Sequence, residues 1–285
     1  MGDNPLERHF RRSQIWLRLP SGGRWYRNGE VSLNESLEVQ IRGTTAIDEM
    51  MLNTPDAMLN GHALESVIRS CAPDVQDVKK LVQPDVEAIL LGIKAATNRG
   101  KFEISRTCTE CGHDNTFDVI CTNLLNGMTY VEDSDTQIEI DGQLIVHFKP
   151  YSYDARTTMI HRQLMEQRTI DEINKGEDED TAVTMDRVAK LADSVERMAK
   201  LTFSMIADAI TSVEMLQEGI RVSDRDHINE WLNNIDRSTA NAVTQAVEAL
   251  NQIGPPRSIR ASCQACSHEW DEPLAYDPTL FFTRP

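Results

Sequence analysis

Two short stretches, Cys108-Thr109-Glu110-Cys111 and Cys263-Gln264-Ala265-Cys266, decide how this chain must fold. Positions 112 to 262, 151 residues, separate them, yet they look alike: the first continues as CTECGH and the second as CQACSH. An extended-reading run leads into each, Lys101-Phe102-Glu103-Ile104-Ser105 and Arg257-Ser258-Ile259-Arg260-Ala261, and a His lies two residues past each second Cys. Two Cys-x-x-Cys knuckles on two hairpins supply four thiolates, the number a tetrahedral zinc takes. The expectation is one zinc held by Cys108, Cys111, Cys263 and Cys266, tying the middle of the chain to its C-terminal part. Four protein ligands leave no open position, so its expected role is structural.

Other uses of these cysteines fit less well. A redox Cys-x-x-Cys usually follows a strand and opens a helix, and no helical pattern follows either pair. Disulfides suit small secreted domains, whereas this chain has 285 residues and no signal-peptide pattern. Unligated thiols are the plain alternative. His113 and His268 read as polar turn residues beside a complete all-cysteine site, and Cys71 and Cys121 as buried free thiols.

Hydrophobic residues make up 40 % of the chain, enough to bury a core, and no apolar run approaches the ~20 residues of a membrane span. The chain opens Met1-Gly2, but Leu6 stands where a myristoylation signal needs Ser or Thr. Nothing in it reads as an export signal, which fits an intracellular site of synthesis. Net charge is −16 and uneven: residues 1–27 carry six Arg against Asp3 and Glu7, a local +4, which leaves −20 for the rest. A nucleic-acid binder shows a basic face, so the acidic body argues against DNA or RNA. The basic N-terminal segment is the exception: an acidic protein partner or the chain's own acidic body explains it as well as phosphate does, and the charge balance favours protein contact.

The pattern reads as α+β: helices and short antiparallel strands around a four-cysteine zinc ribbon, with a helical insertion between the two knuckles. Ile15 to Leu19 and Leu37 to Ile41 alternate as strands, separated by the turn Pro20-Ser21-Gly22-Gly23. Thr44 reads as the N-cap of a helix over Ala46 to Leu52. Further helices are expected before Pro73 and from Asp85 to Thr97, the latter with Val86, Ile89, Leu90 and Ile93 on one face and Gly100 as its stop. Thr116 to Ile120 reads as a return strand. Ile138-Glu139-Ile140 and Leu144-Ile145-Val146 flank Asp141-Gly142-Gln143, whose Asp-Gly pair supplies positive φ for a hairpin. An acidic linker, Gly176 to Asp180, precedes a long amphipathic helix expected from Ala182 to Leu216, with Val188, Leu191, Val195 and Met198, then Ile206, Ile210 and Val213, as its stripe. Two shorter helices, Arg225 to Ile235 and Ser238 to Ile253, close at Gly254-Pro255-Pro256. The expected division is 1–43, a basic arm and strands; 44–150, an α+β body with the first knuckle and the hairpin; 151–256, mostly helical; and 257–285, the second knuckle and tail, packing with 101–122.

No residues fill the roles of an active site. There is no phosphate loop with its Lys, no Gly-x-Ser-x-Gly elbow and no His-Glu-x-x-His. The chain is expected to lack catalysis and a small-molecule substrate.

The order of signals resembles one family. LPSGGRWY (19–26) is followed by EVQIRGTTAIDEMML (38–52), HALESVIRSC (62–71) and DVEAILLGIKAATNRGKFEI (85–104); then come CTEC, CQAC and a closing YDPTLFF (276–282). This is similar to the baseplate protein family of T-even-type contractile-tailed phages, which contains a baseplate hub subunit and a hub-assembly factor. The resemblance covers most of the chain in order and is weakest over about 152–216. It implies a virion or virion-assembly role, binding to other tail proteins, a place in the tail baseplate, and zinc ligation by the four cysteines already named. Within that reading Arg11, Arg12, Trp16 and Arg24 of the arm and Phe281 and Phe282 of the tail are the expected partner-binding residues. The alternatives are a tail-assembly chaperone outside the finished particle and, further off, a nucleic-acid-associated zinc-ribbon factor.

Overall fold

In the computed structural model the described residues are 6, 10–12, 14–53, 61–97, 100–174 and 181–276. Along the chain the elements are β1 (Ile15–Arg18), β2 (Glu38–Ile41), α1 (Ala46–Leu52), α2 (His62–Cys71), α3 (Gln83–Ala96), β3 (Lys101–Thr107), β4 (Asp114–Ile120) and α4 (Cys121–Asn126). They continue as β5 (Gln137–Ile140), β6 (Leu144–Phe148), α5 (Tyr153–Asn174), α6 (Thr181–Ala209), β7 (Ile210–Met215), β8 (Ile220–Val222), α7 (Arg225–Asn234), α8 (Arg237–Leu250), β9 (Ser258–Ser262) and β10 (Glu269–Pro273). The mixture of helices and short antiparallel strands is as expected. Two compact units form: residues 1–131 with 252–285, and residues 132–251.

The first unit is built on α3. Pro84 places a fixed φ in its first turn, where no helical N–H is lost. A single apolar face was expected, but the helix is buried from Pro84 to Ile93 on all sides. The reason is that the antiparallel β1–β2 pair (Leu17, Val39, Ile41), α2 (Leu64, Val67, Ile68) and the core beneath the β3–β4 and β9–β10 hairpins are all apolar and all need cover. Gly92 permits the close approach of the sheet, since a Cβ there would already touch Ile41 and Leu17 at 3.4 Å. Lower down, Leu91 joins Val119, Cys121, Leu124, Leu274 and Tyr276 in the cluster on which both knuckle hairpins stand. Each fully buried aliphatic of this set stabilises by ~2 kcal/mol.

The turn after β1 has its own anchor. Asp85, fully buried in the first turn of α3, accepts from the Ser21 N–H at 2.9 Å, from the Ser21 hydroxyl, and from the Tyr26 hydroxyl at 2.6 Å. Tyr26 in turn accepts the Val82 N–H at 3.0 Å, so its one hydroxyl both donates and accepts. Burial pushes the Asp85 carboxyl up to about 6, although the Ser21 and Tyr26 donors pull the other way. Burial, then the Asp85 charge, holds the Tyr26 phenol neutral. Gly22 and Gly23, at φ +60° and +77°, give the turn the left-handed backbone it needs to wrap this carboxyl.

The N-cap of α1 is Thr45, not Thr44: Thr45 and Asp48 form a reciprocal capping box, and the Thr44 hydroxyl instead faces Glu49 and Thr97. Gly43 lets the strand end lie against α3, since a Cβ there would stand 2.6 Å from the Ala96 carbonyl oxygen.

The second unit holds an antiparallel sheet ordered β5-β6-β7-β8. Its first hairpin turns through Asp141 (φ 52°) and Gly142 (φ 66°), the positive values the Asp-Gly pair predicted. The long helix expected to reach Leu216 ends at Ala209. Ile210 and Val213, placed on its stripe by the sequence, lie in β7, where Val213 pairs with Val146 and Val222. β-Branched residues at 210, 211 and 213 resist helix crowding and fit a pleated surface, and β6 offers them a partner edge. The region expected to be mostly helical thus contributes two strands. Of the first stripe, Leu191 and Met198 are half-buried while Val195 is exposed. Glu166 of α5 joins α6 through Ser194 (2.6 Å) and a two-pronged contact with Arg197 (2.9 and 3.0 Å), and Arg197 holds its carboxyl down at about 2. The acidic linker and the side chain of Val188 lie outside the described residues.

Candidate metal centre

Each knuckle is a strand-turn-strand closed by the same two backbone bonds. The Cys108 N–H donates to the His113 carbonyl and the Cys263 N–H to that of His268, both at 2.8 Å. The Gly112 N–H donates to the Cys108 carbonyl (2.9 Å) and the Ser267 N–H to that of Cys263 (3.0 Å). Both turns need a left-handed residue after the second cysteine: Gly112 has φ 71° and Ser267 φ 59°. This explains the Gly/Ser position of the repeat, and it gives each His a backbone role.

The two knuckles meet. Cys108 Sγ lies 3.8 Å from Cys266 Sγ, Cys111 Sγ lies 3.6 Å from Cys263 Sγ, and all four sulfurs fall within 4.8 Å of one another. Four sulfurs at ~2.3 Å from a tetrahedral zinc stand ~3.8 Å apart, so the cage fits that ion. The separations far exceed the ~2.05 Å of a disulfide. Cys108 and Cys263 are buried, Cys111 and Cys266 exposed. The N–H groups of Cys266 and Ala265 aim at Cys263 and hold its thiol down to about 6. The His113 N–H favours the Cys111 thiolate, but contact with Cys266 and the other thiols outweighs it and pushes Cys111 up to about 12. Four thiolates so close repel one another unless a cation sits among them; metal binding would displace their protons.

More than sulfur joins the hairpins. Asn115, buried at the start of β4, donates from Nδ2 to the His113 carbonyl (2.9 Å) and accepts the Gln264 N–H of the other knuckle (2.9 Å). Arg106 of β3 meets the buried Glu272 of β10 at 2.5 Å. Trp270 donates to Glu272 (3.1 Å), stacks on His268 and receives Phe117 edge-on at 5.8 Å. Sequence reasoning missed Asn115. The available signal was a break in the repeat: four residues past the second Cys stands Asn115 in one copy and Trp270 in the other. Cys71 and Cys121 are buried elsewhere, and burial pushes each thiol up to about 11.

Arg11 is spent inside the chain, on the Gly43 carbonyl, Asp48 (3.2 Å) and the Ser70 carbonyl (2.7 Å). Arg12 and Arg24 are exposed, and Trp16 on β1 is 53 % exposed. Phe281 and Phe282 lie outside the described residues. Among the described residues no helix is long and apolar enough to cross a membrane.

No curated protein and no solved structure gives a significant match. A family model does, and it spans residues 19–283, from the turn anchored on Asp85 through both knuckles. The chain belongs to the T4 bacteriophage base plate protein family.

Proposed function

We propose that the protein is a structural, non-catalytic part of a contractile-tail baseplate, placed near the hub or acting in its assembly, and that it works through contacts with other tail proteins. Family membership over nearly the whole chain carries this reading. In it, Cys108, Cys111, Cys263 and Cys266 hold one zinc that clasps two chain segments far apart in sequence. A baseplate must keep its geometry under load, and a small ribbon with little core gains from a metal: structural zinc in small peptides contributes ~10 kcal/mol or more at neutral pH. Arg12, Trp16 and Arg24, with Phe281 and Phe282, are the proposed contacts with neighbours. Arg11 supports such a surface indirectly, by fastening the arm to α1 and α2.

Mass spectrometry of purified tailed particles tests the role. Presence at fixed stoichiometry supports a virion component. Absence, with tails failing to form when the protein is missing, points to a transient assembly chaperone. Absence with normal tails refutes both. For the metal, protein purified without chelator should carry about one zinc per chain, since four thiolates complete one site. Cys108→Ser and Cys263→Ser should each release it and Cys71→Ser should not; a wild-type content near zero refutes the clasp.

A further inference from the structure

Asn115 is a buried polar side chain that touches both knuckles: its Nδ2 holds the His113 carbonyl that closes the first, and its Oδ1 takes the Gln264 N–H inside the second. Gln264 answers from the other side, its Nε2 reaching the Thr116 carbonyl at 3.4 Å. The Arg106–Glu272 pair and the Phe117–Trp270 contact fasten the same two hairpins farther along their strands. None of these contacts involves sulfur.

We propose that Asn115 is a positioning residue that docks the second knuckle on the first without metal, so that the four-thiol cage is preformed and the ion enters a finished site. This rests on the metal reading given above. The physical argument is one of order. In a clasp made by metal alone, the ion would have to gather two hairpins across 151 intervening residues and pay that loop-closure entropy itself. Here an amide fixed by burial sets the second knuckle's backbone against the first. Residues outside the ligand set that orient a metal's ligands typically govern 10–100-fold in affinity. The exposed sides of Cys111 and Cys266 leave the finished cage a path for the ion.

Two measurements on the full-length chain test this. In the first, zinc affinity is read by competition with a chromophoric chelator. Asn115→Leu, which keeps bulk but loses both hydrogen bonds, should weaken affinity ~10–100-fold. A leucine variant within twofold of wild type overturns the proposal. In the second, hydrogen exchange of the Gln264 amide is followed in wild-type protein stripped by chelator. It should remain at least ~10-fold slower than an unprotected amide, since its partner is Asn115 and not the ion. Full loss of protection on stripping overturns the proposal even where the leucine variant fails to fold. If wild-type protein binds no zinc, the metal reading falls, while the exchange result still decides whether Asn115 docks the hairpins.

Discussion

Tyr26→Phe is the substitution that most directly probes the Asp85 anchor. The Tyr26 hydroxyl donates to a fully buried carboxylate at 2.6 Å and accepts the Val82 N–H at 3.0 Å. Its removal deletes a bond to a charged acceptor, ~1.5–3 kcal/mol, and leaves a buried N–H without that acceptor, ~1–3 kcal/mol. A loss of ~3 kcal/mol at pH 8 follows. The pH dependence gives the sharper test. Asp85 sits near 6 in the folded protein against 3.8 when unfolded, so the native state binds the proton more tightly. Its favourable contribution is therefore complete below 3.8 and is lost as pH rises through 6. Removing a donor to the carboxylate raises it further, and each tenfold gain in native proton affinity costs ~1.4 kcal/mol above that range. At pH 5 Asp85 is mostly protonated and the bond lost to it is a neutral one, while the Val82 N–H loses its acceptor at both pH values, so the variant's deficit should be smaller there by ~1–2 kcal/mol. Urea midpoints at pH 5 and pH 8 with unchanged slope report it. NMR of the Asp85 carboxyl carbon should show a higher titration point in the variant. Equal deficits at both pH values, or a lower titration point, refute the reasoning.

Three further outcomes are expected. Gly112→Ser should cost ~1 kcal/mol and Ser267→Gly should gain up to that amount in denaturant midpoints, because both sites hold left-handed backbone and a Cβ at 112 meets nothing within 4 Å. Gly43→Ala should cost ~2 kcal/mol or more, since its Cβ would stand 2.6 Å from the Ala96 oxygen and backbone must move. Truncation after Asp277 separates two uses of the tail: protein that stays folded and zinc-loaded but no longer joins baseplates marks Phe281 and Phe282 as contacts, unfolding marks them as core, and normal assembly refutes both.

The sequence by itself determined the features written in local chemistry. Cys-x-x-Cys spacing, Asp141-Gly142 and the Pro20–Gly23 turn each specify a backbone shape within a few residues, and each forms as read. The repeat of the two knuckles also carried their convergence, because two thiols from each make one four-thiol cluster only if the knuckles meet. Tertiary structure alone decided whatever depends on a partner distant in the chain. Ile210 to Met215 continues a helical period and becomes β7, because β6 offers hydrogen bonds and Val146 a neighbour. The helix from Gln83 shows one apolar face in sequence and is covered on every side, because β1–β2, α2 and the core beneath the two knuckle hairpins all need the same surface. Arg11 reads as a free basic arm and is consumed by Asp48 and Ser70. Asn115 shows in sequence only as a break in the knuckle repeat, and the approach of Gln264 across the closed chain gives its amide oxygen a partner. Local chemistry sets a turn because its atoms are already neighbours; a pairing partner across the fold is chosen by burial and hydrogen-bond satisfaction, which exist only once the chain has closed on itself.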